Sequence, residues 1–262
     1  MQALHTAASG MRAQEQNIQT VANNIANIRT TGFKKQRAEF QDLLYTELRR
    51  VGSTSSNAGT VVPTGIQIGS GVKFAATSRV LTQGSLEQTE QPLNVAVRGE
   101  GYFEIQLPDG RTAYTRDGSF ERNQDGLVVT LDGYQVGGGI TIPDDARSIT
   151  ISNDGEVGVV SGNDSNSTNV GTIELVSFIN PGGLEAIGDN LFVETDASGD
   201  PQNGTPGDDG LGTMLQGFLE GSNVEAVAEI SDLITAQRAY ELNSRVISAA
   251  DEMMQSAGQI LR

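Results

Sequence analysis

The chain of 262 residues has no cysteine and no tryptophan, and it has a single histidine. Without cysteine there is no disulfide, no thiolate metal site and no cysteine nucleophile. The redox compartment is left open by the same fact. The one imidazole, His5, lies near the chain start on a predicted helix. A Ser-His-Asp triad would have to use it, and no Gly-x-Ser-x-Gly elbow accompanies it. Cations are also scarce, with 17 Lys and Arg against 33 Asp and Glu and a net charge of −16. Nucleic-acid backbones and anionic membrane surfaces are held by Lys and Arg, so neither is expected as a partner. No stretch approaches the roughly 18 apolar residues of a membrane helix. The start, "MQALHTAASGMRAQEQ", lacks the basic n-region and apolar h-region of a secretory leader. These signals predict a protein that is not inserted in a membrane and is either cytoplasmic or exported without a cleaved signal.

Motifs for chemistry are missing as well. There is no Walker sequence, zinc-ligand set or dinucleotide fingerprint, and the short "GEGYF" and "GSG" stretches do not make phosphate loops. Carboxylates are abundant enough that an acid–base pair, as in a wall-cutting hydrolase, stands as a competing reading from another class. The cluster Asp196, Asp200, Asp208 and Asp209 lacks the alternating spacing and terminal Glu of an EF-hand loop. Asn-x-Ser/Thr sequons at Asn163, Asn166 and Asn203 fall in loops rich in those residues. The reading is of no catalytic residue, no cofactor and no metal.

What is present is periodicity at both ends. Leu4, Met11, Ile18 and Ile25 fall seven apart, with Ala7, Val21 and Ile28 on a companion line and Gln14 as a polar interruption. This is the a/d pattern of a coiled coil, and Gly32 supplies a stop. Near the other end Leu233, Tyr240, Ile247, Met254 and Leu261 are also seven apart, with Ala236, Asn243, Ala250 and Ala257 beside them. Ser222 followed by Glu225 reads as a capping box ahead of that helix. Helices of about 25 and about 35 residues are predicted. Asn23, Asn24 and Asn27 sit on the first of them, where neutral polar groups can serve helix–helix contacts without the cost of burying charge.

The middle of the chain alternates short β-branched runs with six Asp-Gly pairs, at Asp109, Asp117, Asp125, Asp132, Asp154 and Asp209. Asp-Gly between apolar runs is a hairpin signal, because glycine accepts the positive φ of the turn. The fold class predicted is α+β, with the terminal helices paired as a coiled coil and an all-β domain of antiparallel strands inserted between them. The divisions expected are a helix over 1–30, an extended or irregular connector over 31–70, a β-rich domain over 71–221 and a helix over 222–262.

"ANNIANIRTTGFKKQ" and "VAEISDLITAQRAYELNSRVISAADEMM" closely resemble the N- and C-terminal signatures of the bacterial flagellar rod and hook family. "LNVAVRGEGYFEI" and "AYTRDGSF" resemble that family's core segments. Length, together with the segment "YTELRRVGSTSSNAGTVVPTGIQIGSG", is most similar to the distal-rod type, with proximal rod and hook subunits as the competing readings within the family. Ile25 stands where the family often has Leu, a volume-conserving change.

The resemblance implies a subunit that polymerises helically into a hollow, straight drive shaft. It implies an inner-tube interface carried by Leu4, Met11, Ile18, Asn23, Asn24, Ile25, Asn27 and Ile28 on one helix. On the other helix the interface would be carried by Leu233, Tyr240, Asn243, Ile247, Met254 and Leu261. A rod-stiffening insertion at about 46–65 would include Arg49, Arg50, Val61 and Pro63. The implied partners are other copies, the proximal rod, the hook, the periplasmic and outer-membrane bushing rings and the type III export apparatus. The implied location is the flagellar basal body, spanning the periplasm.

Overall fold

The computed structural model describes residues 2–51, 64–162, 167–208 and 210–260. Val61, Pro63, Leu261, Asp209 and the sequons at Asn163 and Asn166 lie outside these residues. The architecture is α+β. Helix α1 spans Gln2–Ala26 and helix α2 spans Ala226–Ile260, with antiparallel strands between them. The chain divides into two compact units. The first is made of residues 1–26, 36–78 and 225–262, and the second of 27–35 and 79–224.

In the first unit α1 and α2 are in contact and antiparallel. A Cβ added to Gly10 would stand 3.0 Å from the Asn243 amide nitrogen, and Asn24 meets Glu229. Fourteen residues separate the two meeting points on each helix, so the register is held over four turns.

The residues buried on α1 are small or polar: Ala7, Ala13, Thr20, Val21 and Asn24. On α2 they are Glu229, Ala236 and Ala250. Both sets lie on or beside the companion lines of the heptads. Of the lines of larger residues, Leu4, Met11, Ile18, Ile25, Leu233 and Ile247 are half-buried, and Tyr240 and Met254 are exposed. The backbones come close because small side chains face each other, which leaves the bulky lines at the margins of the contact.

Four strands complete this unit: β1 (Gln36–Asp42), β2 (Tyr45–Arg49), β3 (Ile66–Gly69) and β4 (Val72–Arg79). β1 pairs with β4 and β2 with β3. Much of this stretch reads from the sequence as an irregular connector, because its alternation is broken by polar and charged residues. The β2–β3 ribbon leaves Leu44, Tyr45, Leu48, Val51, Ile66 and Ile68 exposed.

The second unit contains a nine-stranded antiparallel sheet. The strands Thr112–Thr115 and Tyr102–Gln106 lie at its middle. A three-stranded meander (146–151, 156–161, 168–172) and two strand pairs, Val95–Arg98 with Thr213–Gln216 and Leu86–Gln88 with Phe218–Glu220, complete it. The main core gathers Val95, Phe103, Ile105, Phe120, Ile142, Leu175 and Met214. Phe103 and Phe120 meet edge to face at 5.1 Å, the geometry preferred by ring quadrupoles.

The glycines of five Asp-Gly pairs, Gly110, Gly126, Gly133, Gly155 and Gly210, have positive φ. Gly118 does not. Its turn is shaped by Asp117, which accepts from the Ser119 N–H and hydroxyl, and a Cβ there would collide with the Val95 carbonyl.

A second cluster packs Tyr102, Tyr114, Val176, Phe178, Leu184 and Phe192. Tyr114 meets Phe178 edge to face at 4.8 Å. Burial, and then the nearby carboxylates Glu194 and Glu104, push its phenol up to about 12. The folded state therefore keeps this proton when the unfolded chain, with an ordinary value near 10, has lost it. That contribution to stability is intact below pH 10 and is lost as pH rises from 10 toward 12. In an ultraviolet phenolate titration, one component of the folded chain should appear near pH 12. Tyr114→Phe should remove it and flatten the alkaline loss of stability. An unchanged titration in that variant would refute the assignment.

Candidate functional site

The polar residues of the "ANNIAN" stretch have distinct roles. In the first unit the buried Asn24 side chain accepts from the Gln36 N–H at 2.9 Å and donates to the Gln36 carbonyl at 2.8 Å. It also donates to the buried Glu229 carboxylate at 3.0 Å. One amide thus ties the last turns of α1 to the start of β1 and to the first turn of α2. A carboxylate in a helix's first turn is favoured by the helix dipole, which helps Glu229 tolerate burial. Asn24, expected from the sequence to serve contacts between copies, is therefore committed inside the chain. Asn23 is exposed and Asn27 half-buried. Asn27 accepts from the Thr30 hydroxyl at 3.0 Å in the turn after α1, which ends at Ala26.

The second unit is closed by a buried ion cluster. Lys34 Nζ reaches Glu220 Oε1 at 2.5 Å, and Arg116 Nη1 lies 3.6 Å from Glu220 Oε2. All three side chains are at least 94% buried. Lys34 also donates to the Thr82 carbonyl, and the Gly84 N–H donates to Glu220 Oε1. Arg116 Nη2 donates to the Gly99 carbonyl at 2.7 Å. Desolvation pushes the Lys34 ammonium below its ordinary value, against the pull of Glu220.

Beside the cluster, Gly32 takes φ +66° and donates its N–H to the Glu220 carbonyl at 2.7 Å. A Cβ there would stand 2.9 Å from the Arg116 backbone, so glycine is required on both counts. The Asn223 side chain accepts from the Lys35 N–H and donates to the Val80 and Thr82 carbonyls. Ser222, read as a capping box with Glu225, instead accepts from the Val224 N–H. α2 starts later, at Ala226.

The structure thus brings together residues that no motif links. Lys34 and Arg116 lie within recognised family segments, but nothing in the sequence pairs them, and Glu220 carries no sequence signal beyond being a charge at the end of an apolar strand. Arg49 and Arg50 are exposed, at the end of β2 and just after it. Among the described residues no three His, Asp or Glu side chains are grouped to hold a metal ion. No helix of the described residues is long and apolar enough to cross a membrane.

Charge is divided unevenly between the units. The second carries 23 carboxylates against nine Lys and Arg, a net −14, and the first 10 against eight, a net −2.

A nearly neutral unit with exposed apolar side chains on α2 and on the β2–β3 ribbon, in a chain whose other unit is acidic, suits a protein that associates with others. Comparison with known proteins agrees. Residues 4–34 match the family described as flagella basal body rod protein. Residues 96–159 match the D1 domain of the flagellar hook proteins FlgE/F/G, and residues 215–260 match the C-terminal region of the flagellar basal body rod FlgEFG proteins. The flagellar basal-body rod protein FlgG of Caulobacter vibrioides is 55% identical over 99% of both chains. That of Agrobacterium fabrum is 51% identical over 97% of both. That of Bacillus subtilis is 37% identical over the full length of each. The chain belongs to the flagellar basal-body rod and hook family. Its role is that of a structural rod subunit and not of an enzyme.

Two substitutions test the polar junctions. Glu220→Gln leaves two buried cations without a counter-charge and should cost about 3–5 kcal/mol, the usual penalty for breaking a buried pair. Urea denaturation followed by near-ultraviolet circular dichroism measures it, and a change below about 1 kcal/mol would contradict the cluster's role. Asn24→Ala strands the Gln36 backbone groups and should cost about 1–3 kcal/mol in the same assay.

Proposed function

We propose that the chain is the subunit of the distal rod of the flagellum. Copies stack helically into a hollow, straight shaft that carries torque to the hook. In each copy α1 and α2 pair as a coiled coil in the inner tube, and the β domain faces outward. The residues of the heptad lines, Leu4, Met11, Ile18, Ile25, Leu233, Tyr240, Ile247 and Met254, form the contacts between copies, as does the turn around Asn27 and Ile28. The partners are the proximal rod, the hook and the bushing rings, and delivery is through the type III export apparatus into the periplasm-spanning basal body.

The observation that carries this reading is the inverted burial of the two helices. Small residues fill the contact inside the chain, and the large residues stay at its margins. An isolated helix pair gains little from such an arrangement, since its best apolar surface remains in water. Neighbouring copies supply the missing cover. The exposed β2–β3 ribbon supports the same reading, because a lone two-stranded ribbon is marginal in water.

The segment 49–65 discriminates the distal rod from the other members. A chain lacking residues 52–63, expressed in cells without the intact protein, should enter basal bodies but build a curved, hook-like polymer under electron microscopy. A polymer that stays straight would remove the stiffening role from this segment. Failure of the intact chain to be recovered in basal bodies would sink the rod assignment itself.

A further inference from the structure

We propose that residues 213–223 form a strap that closes the second unit last, so that the unit stays open until the end of its own chain is in place. The proposal goes beyond the rod reading and does not depend on it. Both strands of this stretch, Thr213–Gln216 and Phe218–Glu220, find their partners far back in the chain. The first pairs with Val95–Arg98 and the second with Leu86–Gln88, each more than a hundred residues earlier. Neither pairs with a near neighbour among the described residues. The Gln216 side chain donates to the Pro92 and Ile149 carbonyls, and the Met214 N–H donates to the Asn153 carbonyl. Every fastening of the strap is therefore long-range.

The strap carries part of the core and all of one charge balance. Met214 is fully buried in the main core with Val95, Phe103 and Leu175. Until the strap arrives, the strand holding Val95 and Val97 lacks this partner. Glu220, at the end of the second strap strand, supplies the carboxylate that faces Lys34 and Arg116. Burying those two cations before Glu220 is present would leave them without a counter-charge, which costs more than keeping them in water. The region around them stays hydrated until the strap is down.

Much of the rest of the unit is built from local pairs. The strands Tyr102–Gln106 and Thr112–Thr115 form a hairpin with Ile105 opposite Ala113. Phe120–Arg122 pairs with Val128–Thr130, and three strands over 146–172 form the meander. Each of these closes a loop of a few residues. Loop-closure entropy must be met before a contact rewards it, so these pairs form first. Once formed, they shorten the free chain that the strap has to bridge. The strap is also the end of the second unit in chain order. A chain that emerges amino end first carries an open second unit until residue 223 is out.

The natural absence of cysteine makes the order of closure measurable. Two full-length chains each carry one thiol, Ala113→Cys in the central hairpin or Met214→Cys in the strap, both at fully buried positions. Each is unfolded in urea, diluted to refold and pulsed with iodoacetamide at increasing times, and mass spectrometry reads the protected fraction. The Ala113→Cys thiol is expected to become protected at least about tenfold sooner than the Met214→Cys thiol. Protection of both thiols in one step, or of the strap first, overturns the proposal. Leu219→Cys, half-buried in the second strap strand, takes the place of Met214→Cys if that chain does not fold.

Glu220→Gln gives a second, independent reading. Placed in the Ala113→Cys chain, it should leave the rate of protection unchanged to within about twofold, because the ion cluster is absent from the early step. A greater slowing would put the cluster in that step and refute late closure of the strap.

Discussion

Glu220 places one carboxylate between two buried cations and offers its own carbonyl to the Gly32 N–H. The segments that enter and leave the second unit, near residues 32–35, 80–84 and 220–223, are all bonded to it or to Asn223 beside it. Lys34 and Glu220 are 186 residues apart in the chain. Contacts of such long range form late, because the loop they close must first be ordered. Residues 32–35, 80–84 and 220–223 are thereby held together within the second unit. Ionic clusters of this kind are often no more stabilising than well-packed apolar residues. What they supply is a single permitted arrangement, since a slipped strand would leave a charge buried alone.

The helices follow a related economy. Their existence, direction of periodicity and approximate lengths were legible from heptad spacing, because a period of seven survives any tertiary context. Which line of the heptad would be buried was not legible. Hydrophobicity favours the line with Leu, Met and Ile, and an isolated chain would bury that line. The structure buries mainly alanine, with Val21, Thr20, Asn24 and Glu229, because close backbone approach needs small side chains. Asn24, read from the sequence as a contact between copies, stands out as a polar amide on an apolar helix, but the structure commits it inside the chain. Its partners, a backbone segment twelve residues on and a carboxylate more than two hundred residues away, have no signal in local sequence.

The strands show the same boundary between local and distant causes. Most Asp-Gly pairs announced their turns, since the backbone conformation they permit is a property of two residues. Asp117–Gly118 did not follow the rule, because its glycine serves a close approach to Val95 in another strand. Strands β1 to β3 were illegible for a different reason. Their side chains remain largely in water, so no alternation of apolar and polar residues marks them.

The partition of charge has a consequence for any array built from these chains. A net −14 on each β domain must be accompanied by a cloud of small cations. When copies are brought side by side those clouds overlap, and the confined ions exert an osmotic pressure that pushes neighbouring domains apart. At about 0.15 M salt the clouds are about 8 Å thick, and at 0.01 M about 30 Å. The first unit, at a net −2, adds little to this pressure. In any stack of such subunits this repulsion loads the contacts that hold the copies together, by an amount set by the ionic strength of the fluid around it.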